Sequence, residues 1–352
     1  MRVLVPILLW VAAAAAGEEW RSARGNLQNT GVVKNRGPLA QPQVVWKREE
    51  KETISRGVAL AAGRLVYGAG EYVVACRRQA NGLEIWNAAV KQQISAWPAI
   101  RNDRVYVGSP DRVHHIINFD NGKDLGGVIA DAAILADPAV TKDYYLAGAT
   151  DGVFYVMAAN DGRPCWKPLT GSVRLGAAVD KDRAYVVDDH GTVYALDLRK
   201  KRELWRRELK TAPLSAPILG KGAVWVPLTN AIQGLDTRRG EMGARHELKG
   251  LAGPPVLERA VLHYGTQTGE VVTFDLTKGQ ELRRVKVADE PVTAPLILAR
   301  KVAYGAAGKT LFAVGPQGSL LWTFTGEEKF QPPIVADKAI YVAADNVFYC
   351  LR

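Results

Sequence analysis

Short apolar runs separated by polar turns dominate the chain from residue 20 onwards. The runs are four to six residues long, rich in Val, Tyr, Leu and Ile, and bounded by Gly and Asp. For example, the runs 184–187 and 193–196 flank the turn Asp189-His190-Gly191. β-Branched and aromatic residues between such turns favour strands and hairpins. Because residues 20–352 show no sustained helical period, we predict an all-β protein.

The strand pattern recurs about every 39 residues. A three-residue phrase, often ending in Pro, opens each unit, and its last residue recurs at spacings of 38 to 40. The eight phrases end at Ala59, Pro98, Pro138, Ala178, Pro217, Pro255, Pro295 and Pro333. Four short strands per unit of this length are the pattern of a propeller blade. We therefore predict an eight-bladed β-propeller.

The eighth unit contains only three strands, because its last apolar run is followed by Arg352 alone. The segment Gln43-Val44-Val45-Trp46-Lys47 has the character of the missing fourth strand. Pairing it with the run at Val347 would close the ring and leave no exposed edges at the junction. The alternative is an open array of seven blades. We thus expect a signal peptide over 1–17, a lead-in over 18–42 and one propeller domain over 43–352.

A tryptophan follows the turn into the fourth strand in four units. The pairs of turn residue and tryptophan are Gly82 and Trp86, Gly162 and Trp166, Lys201 and Trp205, and Gly318 and Trp322. Gly126, Ala244 and Arg283 occupy the tryptophan position in three other units. An indole buries roughly 150–250 Å² and can span the gap between neighbouring sheets. We expect the four tryptophans to lie buried at the seams between blades.

This unit resembles the tryptophan-docking repeat of pyrroloquinoline-quinone-type propellers, the family that contains quinoprotein alcohol dehydrogenases and the assembly lipoprotein BamB. Residues 20–31 are also similar to the lead-in of secreted members. The resemblance covers residues 20–352 and implies the fold more specifically than the function. In the enzymes of the family, it implies a quinone held between a Trp and a disulfide of adjacent cysteines, with Ca²⁺ and an Asp base.

The chain lacks the most distinctive part of that enzyme site, since Cys76, Cys165 and Cys350 are far apart in sequence. We expect them to be small buried hydrophobic residues without a disulfide. Adjacent His114 and His115 point to opposite faces of a strand, and the cluster 188–191 fills a hairpin-turn position. We therefore predict a non-catalytic protein with no catalytic residue, cofactor or metal site. The alternative is a quinone-type oxidoreductase or a subunit of an exported enzyme complex.

Residues 1–17 have the composition of a secretory signal peptide. A basic start precedes the apolar stretch 3–16, which ends in Ala14-Ala15-Ala16. This stretch is shorter than the roughly 20 apolar residues of a membrane span, and no Cys lies near the cleavage position. We predict a periplasmic or extracellular protein with no transmembrane segment after cleavage.

A formal net charge of +10 is the remaining functional signal. Many cations fall at the turn between third and fourth strands, and equivalent turns lie on one face of a propeller. The candidate residues are Arg77, Arg78, Arg199, Lys200, Lys201, Arg202, Arg238 and Arg239. Such a face attracts anions, which after export means a protein partner or an anionic envelope surface rather than nucleic acid. Alternatively, the charges only keep the turns solvated. The predicted function is a binding or assembly scaffold.

Overall fold

The computed structural model describes residues 19–168, 170–220 and 222–352. The predicted signal peptide lies outside these ranges. Among the described residues, no helix is long and apolar enough to cross a membrane. The strands form eight sheets, each of which is one blade of a β-propeller. The prediction of an all-β, eight-bladed propeller is confirmed.

Two strands precede the first complete blade: β1 (Val32–Val33) and β2 (Val44–Glu49). Blade 1 comprises β3 (Ile54–Ala61), β4 (Arg64–Ala69), β5 (Val73–Arg78) and β6 (Glu84–Ala89). Blade 2 comprises β7 (Ala99–Arg101), β8 (Arg104–Gly108), β9 (Val113–Asn118) and β10 (Asp124–Ile129). Blade 3 comprises β11 (Ala139–Val140), β12 (Tyr144–Gly148), β13 (Phe154–Ala158) and β14 (Pro164–Trp166). Blade 4 comprises β15 (Ala178–Asp180), β16 (Arg183–Val187), β17 (Thr192–Asp197) and β18 (Arg202–Glu208).

The second half repeats this order. Blade 5 comprises β19 (Ile218–Gly220), β20 (Ala223–Leu228), β21 (Ala231–Asp236) and β22 (Met242–Glu247). Blade 6 comprises β23 (Val256–Glu258), β24 (Val261–Gly265), β25 (Glu270–Asp275) and β26 (Gln280–Lys286). Blade 7 comprises β27 (Ile297–Ala299), β28 (Val302–Ala307), β29 (Thr310–Val314) and β30 (Leu320–Thr325), with β1 added parallel to β27. Blade 8 comprises β31 (Ile334–Ala336), β32 (Ala339–Ala344), β33 (Val347–Leu351) and β2.

Strands that follow one another within a blade are antiparallel, which places the connections on two opposite faces of the disc. The first–second and third–fourth turns share one face, here called the turn face. They touch each other in blade 4, where Leu198 N donates to Asp182 O at 2.8 Å. The second–third hairpins and the segments leading into each first strand form the other face, here called the pocket face. The core lies between the sheets, because middle strands such as β13 are buried whereas outer strands such as β26 are exposed.

Strand β2 closes the ring as predicted. It pairs antiparallel with β33, with Trp46 opposite Cys350 and Glu49 opposite Val347. Reciprocal backbone hydrogen bonds between Gln43 and Arg352 extend the pairing. Blade 8 is therefore assembled from two distant parts of the chain, and no open strand edge is left where the ring closes.

Residues 20–36 form a belt inside the central channel, a feature that the sequence pattern did not indicate. Backbone carbonyls of the belt accept hydrogen bonds from N–H groups of blades 1, 2, 4, 5, 6, 7 and 8 in chain order, and the Trp20 N–H also donates to Leu60 O. Its partners are Trp20 with Leu60, Arg21 with Ile100, Leu27 with Val179, Gln28 with Leu219, Thr30 with Leu257, Gly31 with Leu298 and Arg36 with Lys338. The belt thus satisfies polar groups on the inner edges of the blades, which would otherwise need water or another strand.

Tryptophans hold four of the seams by one shared geometry. Each indole Nε1 donates to a backbone carbonyl across the seam: Trp46 to Gln79 at 3.2 Å, Trp86 to Phe119 at 2.9 Å, Trp205 to Thr237 at 3.2 Å and Trp322 to Pro38 at 3.0 Å. Three of these rings lie against a turn glycine of the next blade. A Cβ at Gly82, Gly122 or Gly240 would come within 2.5 to 2.8 Å of the indole.

Trp166 departs from this geometry and is only half-buried. The position in blade 4 that corresponds to the stacking glycines is Lys201, which adopts the left-handed conformation at φ 51°. Because a Cβ at the stacking glycines would clash with the indole, we attribute the weaker burial of Trp166 to the side chain of Lys201. Trp86, Trp205 and Trp322 therefore lie buried at seams as expected, whereas Trp166 does so only in part.

Other side chains replace the missing tryptophans of blades 5 and 6. Arg283 donates from Nη1 to Pro316 O in blade 7, across the seam that an indole would span. In blade 5, His246 stacks on Trp225 of its own blade and meets Phe274 of blade 6 edge-on, at centroid distances of 6.0 and 5.5 Å. The seams thus remain filled by chemically different groups.

Candidate functional site

The turn face carries seven of the eight cations predicted to form a basic surface, all of them exposed. They are Arg78 in blade 1, Arg199, Lys200, Lys201 and Arg202 in blade 4, and Arg238 and Arg239 in blade 5. Blades 4 and 5 are neighbours, so six of these charges are brought together, while Arg78 lies apart. Arg239 approaches Glu241 at 3.7 Å, but both side chains are exposed and such a pair is weak.

Arg77 does not belong to this surface. It is the penultimate residue of β5, only 6% exposed, and its side chain points into the seam between blades 1 and 8. Its Nη2 lies 2.8 Å from Oε2 of Glu50, and its Nε donates to Oε1 of the same carboxylate. The Tyr67 hydroxyl donates to Glu50 as well. The guanidinium is thus neutralised internally and is not available to a partner.

The first–second turns add cations to the turn face that the sequence analysis overlooked. Lys181, Arg259, Arg300 and Lys338 are exposed there, and all four have positive φ values. The regular spacing of these turns after each opening phrase was the signal that could have revealed them. Together with the third–fourth turns, they extend the basic surface from blade 4 to blade 8.

A cavity of about 450 Å³ lies in the central channel and opens on the pocket face. The segments leading into the first strands form its wall and include Trp97, Asp137 and Phe330, while belt residues such as Arg24 and Asn29 form its floor. Small-molecule sites in proteins typically measure about 300–1,000 Å³. The cavity is therefore a second candidate site, separated from the basic turns by the belt.

Arg24 is the most unusual side chain of this cavity. It is 9% exposed, and its Nη2 donates to Pro255 O at 2.5 Å. Its buried Nη1 has no hydrogen-bond partner among the described residues. Burial lowers the pKa of the guanidinium to about 10, an effect that the nearby Asp137 charge opposes. Since an unsatisfied buried donor costs about 1–3 kcal/mol, this group favours a polar ligand or water in the cavity.

The histidines considered for metal binding have separate structural partners. His114 is fully buried, its Nδ1 lies 3.0 Å from the Tyr145 hydroxyl, and burial lowers its pKa to about 3. His115 instead contacts the Asp111 carboxylate at 3.0 Å. The cluster at 188–191 forms a hairpin turn in which the Asp188 carboxylate accepts from the backbone of His190 and Thr192.

The cavity does not fit the quinone site that the family resemblance implies. Cys76 and Cys350 are buried and Cys165 is half-buried, and all three are free thiols outside the cavity. Asp137 is the one acidic residue among the described lining residues. Its Oδ1 accepts a hydrogen bond from the backbone N–H of Trp97 at 2.9 Å. Neither a disulfide platform nor a group of carboxylates for Ca²⁺ is provided by these residues.

Sequence comparison relates the chain to one family. The model of the outer membrane protein assembly factor BamB matches residues 31–125 and 150–352, well over half of the chain. A search of curated protein sequences found no match to this chain.

Structural comparison finds the same fold in proteins of different kinds. BamB from Moraxella catarrhalis aligns with a TM-score of 0.73 and 15% identity, covering 89% of this chain and 98% of that one. Quinohemoprotein alcohol dehydrogenase from Comamonas testosteroni aligns with a TM-score of 0.81 and 11% identity over 97% and 81% of the chains. The computationally designed protein Ika8 aligns with a TM-score of 0.76 and 17% identity over 88% and 99%. At these identities, the likeness establishes the fold alone.

Proposed function

This chain belongs to the family of the outer membrane protein assembly factor BamB, and on that premise we propose that it is an exported, non-catalytic scaffold whose turn face binds an anionic partner. The partner is a protein or an anionic envelope surface. The family and the fold support a binding role, and the charge distribution supports the choice of face.

The concentration of exposed cations on blades 4 and 5 is the observation that carries this proposal. The turn 199–202 consists of four consecutive cations, all exposed, and Arg238 and Arg239 lie on the neighbouring blade. Like charges held this close repel each other and create a positive potential that raises the association rate of an anion. An opposing acidic surface relieves that repulsion.

We expect reversal of the blade 4 turn to weaken binding to polyglutamate, a probe for acidic proteins, without lowering the melting temperature. The variant replaces Arg199, Lys200, Lys201 and Arg202 with Glu. Parental binding should itself weaken with salt, because the Debye length falls from about 10 Å at 0.1 M to about 3 Å at 1 M. Titration at several salt concentrations, followed by light scattering or calorimetry, measures both effects.

A matched control separates the location of the charges from their number. It reverses four exposed cations of the outer strands instead: Lys47, Arg206, Arg245 and Lys286. The net charge of the two variants is identical. If the control loses binding as much as the turn variant does, the attraction is a property of net charge, and the proposed face is only a solvated surface.

A ligand-binding or quinone-type oxidoreductase function in the central cavity is the second candidate. It is favoured by one observation, the buried Nη1 of Arg24, which has no partner within the described residues. The fold shared with quinohemoprotein alcohol dehydrogenase is consistent with this candidate. Against it stands the poor fit of the cavity residues to a quinone and Ca²⁺.

For the scaffold, we expect no heat of binding when pyrroloquinoline quinone is titrated calorimetrically into the mature protein with Ca²⁺ present. The cavity lacks the disulfide and the carboxylate group that the family enzymes use. Micromolar binding that disappears in Arg24→Met would instead support the cavity function. The Arg174→Met variant is the control, because Arg174 also lines the cavity but is exposed and pairs with Asp189.

A further inference from the structure

The seam between blades 7 and 8 differs from the others because blade 8 has no third–fourth turn. Its third and fourth strands come from distant parts of the chain, so no hairpin covers the turn face there. The segment 36–41 crosses this gap instead. Pro38 O accepts hydrogen bonds from Trp322 Nε1 at 3.0 Å and from the Tyr304 hydroxyl at 3.2 Å. The segment therefore provides a hydrogen-bond acceptor for both side chains, but an open cleft remains beside it.

The cleft has a cationic part and an apolar part that share lining residues. The cationic part, of about 630 Å³, is lined by Arg36, Arg300, Asp337, Lys338 and Arg352. The apolar part, of about 670 Å³, adds Gly37, Pro38, Leu39, Ala40, Gln41, Ala299, Val302 and Tyr304. Leu39 is 68% exposed, so its side chain is accessible to a ligand. Positive charge and apolar surface thus meet in one open cleft.

The cations of the cleft are held in place by turns with an unfavourable backbone. Arg300 and Lys301 have φ values of 48° and 73°, and Asp337 and Lys338 have values of 51° and 61°. Glycine or asparagine is favoured in this left-handed region, and long side chains are uncommon there. Positive φ values recur at the equivalent turns of blades 4 and 6, at Lys181 and Arg259, so they belong to the turn geometry of the repeat.

Neighbouring groups orient these side chains. The Arg300 Nε donates to Lys34 O at 3.0 Å, which ties the guanidinium to the end of the belt. The carboxylate of Asp337 accepts from Gln79 Nε2 at 2.9 Å, in the direction of blade 1. Four cations line both parts of the cleft: Arg36, Arg300, Lys338 and Arg352. The charge therefore lies next to the apolar surface rather than apart from it.

We propose that this cleft binds an extended acidic peptide segment of a protein partner, with carboxylates at Arg36, Arg300 and Lys338 and an adjacent apolar side chain against Leu39 and Tyr304. Arginine guanidinium groups suit carboxylates because they offer paired donors. The inference deepens the proposed scaffold function and rests on it, because it assigns to that scaffold the chemistry of its partner. A lipid surface is the less suitable occupant, since membrane docking uses several protruding apolar groups, whereas Leu39 is the one exposed large apolar side chain among the described lining residues.

The test uses fluorescence anisotropy with a fluorescein-labelled peptide of repeated Glu-Glu-Leu. The Arg300→Asn/Lys338→Asn variant should bind it about tenfold more weakly than the parent, as expected for the loss of two partly exposed charge contacts. Asn is chosen because it tolerates the left-handed conformation of both turns. The matched control is Arg245→Asn/Lys286→Asn, which removes two exposed cations from the outer strands β22 and β26, away from the turn face, and should retain parental affinity.

A second variant tests the apolar part of the site. Leu39→Ser should weaken binding of the Glu-Glu-Leu peptide severalfold but leave a Glu-Glu-Gly peptide unaffected. Because Leu39 is exposed, this substitution leaves the fold intact. A Gln-Gln-Leu peptide should not bind detectably, since it lacks the carboxylates.

Three results overturn the proposal: no binding of the Glu-Glu-Leu peptide by the parent at low salt, equal losses in the Asn double variant and its control, or binding to phosphatidylglycerol vesicles without binding of the peptide. The variant with the charge-reversed blade 4 turn distinguishes failure of the cleft proposal from failure of the proposed function. If polyglutamate binding is lost in that variant but kept in the Arg300→Asn/Lys338→Asn variant, the scaffold function is supported and the cleft is not its binding site.

Discussion

Replacing Trp205 with alanine is expected to lower the free energy of unfolding by about 3–5 kcal/mol, the usual cost of deleting a buried aromatic side chain. Trp205 is 9% exposed, its Nε1 donates to Thr237 O in the next blade, and its ring lies against Gly240. The substitution removes the indole from the seam and leaves Thr237 O with the Tyr185 hydroxyl as its side-chain donor. Chemical denaturation monitored by circular dichroism measures the loss.

Trp166→Ala is the matched control for this prediction. Trp166 occupies the same repeat position but is half-buried, and Lys201 stands where the other seams have glycine. Because less surface is buried, we expect a cost below about 2 kcal/mol. Equal costs at the two positions would show that burial of the indole does not determine seam stability. A negligible cost for Trp205→Ala would instead point to an exposed ring that contacts a ligand.

A chain lacking residues 19–50 should be destabilised more than any single substitution achieves, by well over about 5 kcal/mol. The deletion removes both the belt and β2. It exposes the edge of β33 together with the inner edges of seven blades. We expect a sharply lower melting temperature and aggregation through the open strand edges. Thermal melts with light scattering record both effects.

The Asn29→Ala/Asn35→Ala variant separates the belt from the closing strand. Asn29 Nδ2 donates to Ala177 O and Pro217 O, which joins blades 4 and 5, and Asn35 Nδ2 donates to Val335 O in blade 8. Each loss should cost about 1–3 kcal/mol, because buried carbonyls lose their donors, while β2 stays paired.

The deletion has its own contradicting outcome. If the chain lacking residues 19–50 melts like the parent, the deleted segment is a dispensable tail.

Most of the blade architecture could be predicted from the sequence because each blade repeats a local pattern. The opening phrases, the alternation of runs and turns, and the position of Trp205 recur within units short enough to be recognised by eye. The closing strand was predictable for the same reason, since the eighth unit lacked one strand and Trp46 supplied its characteristic residue. Local periodicity therefore determined both the number of blades and their closure.

The belt and the cleft were not predictable in the same way. The belt is held mainly by backbone groups and a few polar side chains such as Asn29, so it produces no apolar period. Arg77 was assigned to the basic face from its position at a strand end. Its burial depends on Glu50, which lies in the connection between two strands of different blades. Such contacts follow from the closed ring rather than from any one repeat.

The belt also has a consequence for how the protein folds. In an ordinary repeat array, stability is a sum of units and nearest-neighbour interfaces, and one end can unravel while the other persists. Here a single segment near one end of the chain is bonded to seven blades, and β2 needs a partner strand about 300 residues away in sequence. Residues synthesised first must therefore wait for the last blade before they reach their final positions. Contacts so distant in sequence slow folding, and they join the eight units into one cooperative structure that gains its full stability only when the ring is complete.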